Sequence, residues 1–449
     1  MKKSSLTEGN IGKALLFFVL PIIAGSLIQQ LYTTVDAVIV GQFTGKMGLA
    51  AIDSVYTLFK FPINFMNGLA AGATIIISGY FGAKEKEGLH CAVRTALLVA
   101  FFLGIICSIG GVLLSPWLLD VMSVPEEVQG RSLIYCRIYF AGLWAMILYN
   151  MMAGILRAFG DSKRPLYVLI ICAVANVVGD FLLVGVLHTG VGGAAAATVF
   201  SQAVSVAVLW VMLTKADFLE GTLVLSRMTI CREHTGMMIR KGFPLALQSM
   251  LFPIANSIVQ ASVNTMGTDS IAAWGICDKL DLLIWLIADS MGPALTTYTA
   301  QNIGAGKQHR AKKGALVGTG ISVIAVALIS VVLYFCSGVI GPWFIAKKDV
   351  DALIPLVVRY MRMMAPFFVF YAVAEAYSGA CCGLGETLVP MITTLLTICL
   401  FRVVAILTIL PKIGTMECIV RIYIASWILA GCAFVVLYSI KERKLHKKI

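Results

Sequence analysis

Apolar residues along this chain gather into long runs, separated by short clusters of glycine, proline and charged residues. A run of roughly 20 to 30 residues, rising about 1.5 Å per residue as a helix, crosses about 30 Å of hydrocarbon. The runs predict twelve spans, near residues 14–43, 50–80, 92–115, 132–157, 165–187, 193–214, 242–266, 270–301, 315–340, 355–381, 388–410 and 419–440. None of them shows the alternating period of a barrel strand, and hydrocarbon forces each backbone polar group to find its partner within its own segment. The expected class is an all-α polytopic membrane protein.

Composition agrees with this pattern. Of 449 residues, 59% are apolar and 13% charged, with a mean hydropathy of +0.91; a soluble domain carries about twice that share of charge. The net charge of +12 would suggest nucleic acid in a soluble chain, but in a membrane chain the location of the charge matters more, because Lys and Arg gather in cytoplasmic loops. With the N-terminus inside, the inner segments carry Lys2, Lys3, Lys13, Lys84, Lys86, Arg94, Arg157, Lys163, Arg164, Lys215, Arg227, Arg232, Arg240, Lys241, Lys307, Arg310, Lys312, Lys313 and the basic tail, while Lys46, Arg131, Lys347, Lys348 and Lys412 fall outside. Both termini are therefore expected in the cytoplasm. The first apolar run is too long for a cleaved signal and should remain as a span. The 12 cysteines lie scattered without a CxxC or Cys/His pattern, so neither disulfides nor zinc follow from them, and small-residue packing is the expected role. His90, His188, His234, His309 and His446 all read as loop or tail residues, which argues against a histidine proton relay.

An internal repeat organises the chain. Pro21 with Ser26 recurs as Pro244 with Ser249, Gly82-Ala83 as Gly304-Ala305, Pro116-Trp117 as Pro342-Trp343, and Gly160-Asp161 with Pro165 as Gly385-Glu386 with Pro390. Each half holds six predicted spans, so both halves should enter the membrane in the same sense. The expected organisation is an N-lobe at 1–214, a basic cytoplasmic linker at 215–241 and a C-lobe at 242–449 with a basic tail. Transporters place the substrate path between such repeats.

Ionisable residues inside the spans mark candidate chemistry, because a charge at mid-bilayer costs about 3 kcal/mol or more. Asp36, Asp180 and Thr198 should lie at one depth below the outer surface, with Asn176 one turn from Asp180 and Gln202 one turn from Thr198. Such oxygen ligands suit a hard monovalent cation, Na⁺ included, and two adjacent carboxylates can instead share a proton. Interhelical hydrogen bonding is the alternative use, above all for Asn176 and Thr198. Tyr32 shares the face of Asp36. In the second half, Asp278, Asp281, Trp285 and Asp289 are spaced for one face of a single helix. Glu375 and Arg402 add a deep carboxylate and a deep guanidinium. This acidic face either lines a cation-attracting cavity or pairs internally with Arg402 and Lys279, and Arg402 reads better as an ion-pair partner than as a substrate contact. The cluster around Met361, Met363, Met364, Phe367, Phe368 and Tyr371 reads as packing or lipid contact more readily than as an adaptable ligand wall.

Taken together, Leu6-Thr7-Glu8-Gly9, Pro21 through Gln29-Gln30-Leu31, Val35-Asp36 with Val40-Gly41, Gly82-Ala83-Lys84, Gly154 to Gly160-Asp161, Gln301-Asn302-Ile303-Gly304-Ala305-Gly306 and Gly383-Leu384-Gly385 resemble the multidrug and toxic compound extrusion (MATE) family over nearly the whole chain. The resemblance implies two pseudo-symmetric six-helix lobes in a V shape, alternating access, and export of organic, commonly cationic compounds driven by H⁺ or Na⁺. It also implies that Asp36, Asn176, Asp180 and Thr198 form an N-lobe cation site. The chain departs from members that carry a Glu in the seventh span, where it has only Gln248, Asn256 and Gln260, and Glu375 stands closer to the cytoplasm than their tenth-span Asp. It is most similar to bacterial members with a Glu in span ten and an Arg in span eleven.

The expected activity is thus a cation-coupled efflux antiporter in a bacterial plasma membrane, working as a monomer with a small organic substrate, the bilayer as its surroundings and no cofactor beyond the coupling ion. A flippase for a lipid-linked precursor is the alternative within the same superfamily, but it calls for a more basic cavity than Arg402 supplies. A membrane enzyme would need nucleophiles, metal ligands or acid/base pairs converging at the membrane surface, and the short loops offer none.

Overall fold

Long apolar runs with few helix breakers fold as helices throughout the described part of the chain. The structure is a computed structural model that describes residues 6–216, 219 and 229–446. Lys2, Lys3, Arg227, Lys447, Lys448 and residues 217, 218 and 220–228 of the expected linker lie outside these residues. In chain order the helices are α1 Ile11–Ala83, α2 Lys86–Val121, α3 Glu126–Ala141, α4 Leu143–Ala158, α5 Lys163–Asp180, α6 Gly190–Thr214, α7 Arg232–Val263, α8 Thr268–Leu280, α9 Leu282–Gly304, α10 Gln308–Ile340, α11 Val350–Met364, α12 Phe368–Gly383, α13 Leu388–Thr394, α14 Phe401–Thr408, α15 Leu410–Ile413 and α16 Met416–His446. Short π-helical turns follow α5 at Phe181–Val186 and α13 at Leu395–Leu400. There is no strand among the described residues.

Among the described residues nine helical segments are long and apolar enough to cross a membrane, or ten when the pair α3 and α4, bent by 43°, counts as one span. α1 holds the first two predicted spans, interrupted at Gly45, where φ is 68° and ψ −171°. That combination is open essentially to glycine alone. Gly267, one repeat later, takes nearly the same conformation, φ 90° and ψ 159°, immediately before α8. The eighth predicted span corrects the sequence reading. It is two helices, α8 and α9, with the chain breaking at Asp281, so Asp278 and Asp289 do not share one unbroken helical face.

The repeat is written into the helix ends as well. At Phe81–Glu85, Arg157–Asp161, Ile303–Lys307 and Cys382–Glu386 each helix closes on a left-handed residue, Lys84, Gly160, Gly306 or Gly385. In each, the next N–H reaches back five residues: Glu85 to Tyr80, Asp161 to Leu156, Lys307 to Asn302 and Glu386 to Cys381, at 2.8 to 3.2 Å. These bonds cap carbonyls that the helix leaves unpaired.

The described chain forms two compact units, the first Leu20–Ala246 and the second residues 6–19 together with those from Leu247 onward. The boundaries fall inside α1 and α7. In the first unit α2 shows how a membrane helix sorts its residues: Phe102, Ile106, Ile109, Leu113 and Trp117 are exposed along one face, while Gly104, Ser108, Gly111 and Ser115 are buried on the other. A water-soluble protein does not expose such a stripe, whereas lipid accepts it, and small residues inside let helices approach. α10 in the second unit repeats the arrangement, with Ile324, Leu328, Val331, Phe335 and Val339 outside and Gly318, Ser322, Ser330 and Ser337 inside.

Closest approach occurs where small residues recur at four-residue spacing. Gly68 and Gly72 of α1 lie against the backbone of Ala246 and Gly242 of α7, leaving no room for a β-carbon. In the second unit Gly379 and Gly383 of α12 meet Gly292 and Thr296 of α9 in the same way, and Thr296 Oγ1 donates to the Gly379 carbonyl at 2.9 Å. Met361, Met364, Phe368 and Tyr371 are buried in the second unit's core, as the packing reading expected.

The second unit also holds the N-terminal segment. Arg310 of α10 donates to the carbonyls of Glu8 at 2.7 Å and Gly9 at 2.8 Å, and more weakly to Leu6. Lys307 Nζ donates to Thr7 at 2.9 Å, and Asn302 Nδ2 to Leu6 at 3.3 Å. Two of the sequence motifs are therefore the two sides of one contact.

Candidate functional site

In the first unit, α5 and α6 pack closely because α6 opens with a Gly-Gly-Ala-Ala-Ala-Ala stretch. A β-carbon added at Gly179 would sit 3.0 Å from that of Ala197. The close packing brings Asn176 Nδ2 within 3.3 Å of Thr198 Oγ1, to which it donates. The Thr198 hydroxyl spends its own hydrogen on the Ala194 carbonyl at 3.0 Å. Asp180 follows one turn after Asn176, at the end of α5, where the π-turn begins; such turns recur at functional sites because an inserted residue re-aims the side chains around it. Asp180 is fully buried and its carboxyl lies against that of Asp36 from α1.

The chemistry of this cluster is an excess of acceptors. Asp36 Oδ1, both oxygens of Asp180, Asn176 Oδ1 and Gln202 Oε1 are buried and have no hydrogen-bond donor among the described residues. Gln202 turns its amide nitrogen to Cys172 Sγ at 3.6 Å, a residue that also neighbours Tyr32. Each unsatisfied buried group costs about 1–3 kcal/mol, more when charged. The oxygens fit a hard monovalent cation, and the two facing carboxyls fit a shared proton, since one must be protonated before it can donate to the other.

Sequence reasoning passed over the aromatic wall of this cluster. Tyr56, Tyr135 and Tyr139 all lie within electrostatic reach of Asp36, and Tyr32 joins them. Tyr135 and Tyr139 stack with centroids 5.8 Å apart, and Phe59 packs on Tyr139 at 4.1 Å. Their i, i+4 spacing inside a span was the available signal.

The second unit places its polar residues differently. Asp281, buried at the break between α8 and α9, accepts from Trp285 Nε1 at 2.8 Å. Asp289, accessible on α9, accepts from the Tyr371 hydroxyl at 2.8 Å, and Glu375 lies beside both. Asp278 is exposed. Arg402 is buried, and its partners are not the carboxylates expected for it. Its Nε donates to Ser426 Oγ at 2.8 Å, its Nη1 to Asn256 Oδ1 at 3.3 Å, and its guanidinium lies 4.0 Å from the centroid of the Tyr423 ring. A planar guanidinium suits this mixture of donation and stacking. Tyr423 lies within electrostatic reach of Arg402 and of Asp278 and Asp281. Lys279 Nζ points over the Phe344 ring at 5.7 Å. Among the described residues neither cation makes an ion pair: in place of the expected salt bridge Arg402 meets a hydroxyl, an amide oxygen and an aromatic ring, and Lys279 an aromatic ring.

Comparison with known proteins completes the site's context. The MatE family model matches twice, at residues 21–182 and 244–408, in agreement with the internal repeat. The chain is 29% identical over 349 residues to the probable multidrug resistance protein YoeA of Bacillus subtilis, covering 76% of this chain and 75% of that one. It is 26% identical over 402 residues to the probable multidrug resistance protein YpnP of the same organism, covering 90% and 89%. Its fold is similar to that of a MOP superfamily transporter from Pyrococcus furiosus, with a TM-score of 0.90, 21% identity and 99% of each chain covered.

Proposed function

Because the chain belongs to the MatE family of transporters, we propose that it is a secondary active antiporter that exports organic, lipophilic cations in exchange for H⁺ or Na⁺ by alternating access. The observation that carries the reading is the cluster of buried, unpartnered oxygens at Asp36, Asp180 and Asn176. Helix packing alone has no use for them, because a pair of amides or hydroxyls would bind the same helices at lower cost.

In the proposed cycle Asp36 and Asp180 take up the coupling ion from the outer side, with Asn176 and Thr198 completing the oxygen shell when the ion is Na⁺. Neutralising the two carboxyls removes their repulsion, shifts α1 and α5, which carry them, together with α6 packed on α5, and releases substrate outward. A coupling free energy of about 1–3 kcal/mol is sufficient for such linkage. Tyr32, Gln202, Asp278, Asp281, Asp289 and Glu375 are the proposed substrate-facing residues, and the acidic ones favour cationic cargo. Arg402 is assigned instead to holding its own unit together. The names of the two Bacillus relatives support drug-like cargo, and the basic inner segments support a plasma-membrane protein with both termini in the cytoplasm.

The test is efflux of a fluorescent lipophilic cation from proteoliposomes under an imposed pH gradient or an imposed Na⁺ gradient. Wild type should transport under one of them and Asp36→Asn under neither. Undiminished gradient-driven efflux by Asp36→Asn would overturn the coupling role, and no transport by wild type under either gradient would move the substrate class toward anionic or lipid-linked compounds.

A further inference from the structure

Cys91, His234 and Cys231 are far apart in sequence and absent from any motif, yet the first unit brings them together. Cys91 lies in the first turns of α2, Cys231 immediately precedes α7, and His234 sits in the first turn of α7, not in a loop as the sequence suggested. The cysteine Cα atoms, 140 residues apart in sequence, are 6.3 Å apart, and the structure joins their sulfurs as a disulfide, a pairing that the scattered cysteines did not predict because it depends on how α2 and α7 pack. His234 Nδ1 lies 3.4 Å from Cys91 Sγ, and all three potential ligand atoms fall within 4.8 Å of one another. The surroundings hold the three in place: the Cys231 N–H donates to Thr95 Oγ1 at 3.1 Å, and the Tyr80 ring packs against His234 at 5.4 Å. His234 is only 9% exposed and its Nε2 has no partner among the described residues.

We propose that Cys91, Cys231 and His234 form a binding site for a thiophilic cation of the Zn²⁺ class, joining the start of α7 to the start of α2. Two thiolates and one imidazole are the ligand chemistry of zinc, and three protein ligands leave a fourth position for water. A simple disulfide has no use for the histidine. On the orientation proposed above the site faces the cytoplasm, where reducing conditions keep such a pair as thiols. Because α7 continues from the first unit into the second at Leu247, the ion would act as a staple at the point where that helix begins. The proposal stands apart from the coupling site and needs no transport to be tested.

The experiment uses the full-length protein purified in detergent under reducing conditions, loaded with ZnCl₂, freed of excess metal, and analysed for metal content. Wild type should retain one zinc per chain, and Zn²⁺ should raise its melting temperature. The double variant Cys91→Ser/Cys231→Ser should retain none and show no such rise. His234→Gln should weaken zinc binding by more than the roughly tenfold that loss of even an outer-shell partner costs. Co²⁺ in place of Zn²⁺ should give a thiolate charge-transfer band in wild type only. Equal zinc content in wild type and the double variant would overturn the proposal, and so would isolation of Cys91 and Cys231 as a disulfide under those conditions. Retained efflux by the variants would show that they are folded.

Discussion

Two kinds of buried polar residue occur in this protein, and their partners separate them. Arg402 has a hydroxyl, an amide oxygen and an aromatic face around it, so its burial is compensated locally. Arg402→Leu should therefore lower stability by about 1–3 kcal/mol, leaving Asn256 and Ser426 without their donor; thermal unfolding in detergent measures this. Asp180 has no donor on either oxygen among the described residues, so Asp180→Asn should cost no stability, or raise it, while gradient-driven efflux is lost. The same melts, set beside proteoliposome transport, distinguish the two cases. Depth and spacing made Asp36, Asp180, Asn176 and Thr198 visible as a group in the sequence. The tyrosines around Asp36 were not visible as a wall, because their convergence depends on how α1 and α3 pack.

Helices here are shaped by glycine at two kinds of place. At Gly45 and Gly267 the backbone takes a conformation that side chains oppose, and Gly45→Ala or Gly267→Ala should each cost about 1–3 kcal/mol. A milder loss at one of the two would show that its break can relax. Gly72 instead permits contact, lying against Gly242 with no space between. Gly72→Leu should force α1 and α7 apart at a cost of about 1–3 kcal/mol or more and reduce yield of folded protein, as read by size-exclusion profile and melting temperature. The helical class of the predicted spans holds because a run of apolar residues is a local property, while their number does not: the first two share α1 and the eighth is split. The break at Asp281 escaped detection because both flanking segments are apolar enough to read as one run.

At the level of the full chain, the N-terminal segment is anchored by three side chains, Asn302, Lys307 and Arg310, to carbonyls of residues 6–9. Arg310→Ala removes the charge-assisted bonds and should expose residues before α1 to limited proteolysis while the rest of the protein stays folded. The orientation read from the basic residues has its own check. Single cysteines placed at Lys307 and at Lys348, in a chain cleared of its other accessible cysteines, should react with an impermeant maleimide from the cytoplasmic side and from the outer side respectively. The reverse pattern would invert the topology and remove the cytoplasmic setting of the Cys91, Cys231 and His234 site.

Membrane residence, helical class and the twofold repeat followed from sequence alone, because each is a property of a short segment or of its spacing from another. Who pairs with whom did not. Arg402 meets Ser426, Asn256 and Tyr423 instead of a carboxylate, and Cys91 meets Cys231 and His234, because such pairings depend on how far one helix is rotated and slid against the next. That is decided by the small residues between them, such as those of α5 and α6 around Asn176 and Thr198, and it becomes visible only when the helices are packed.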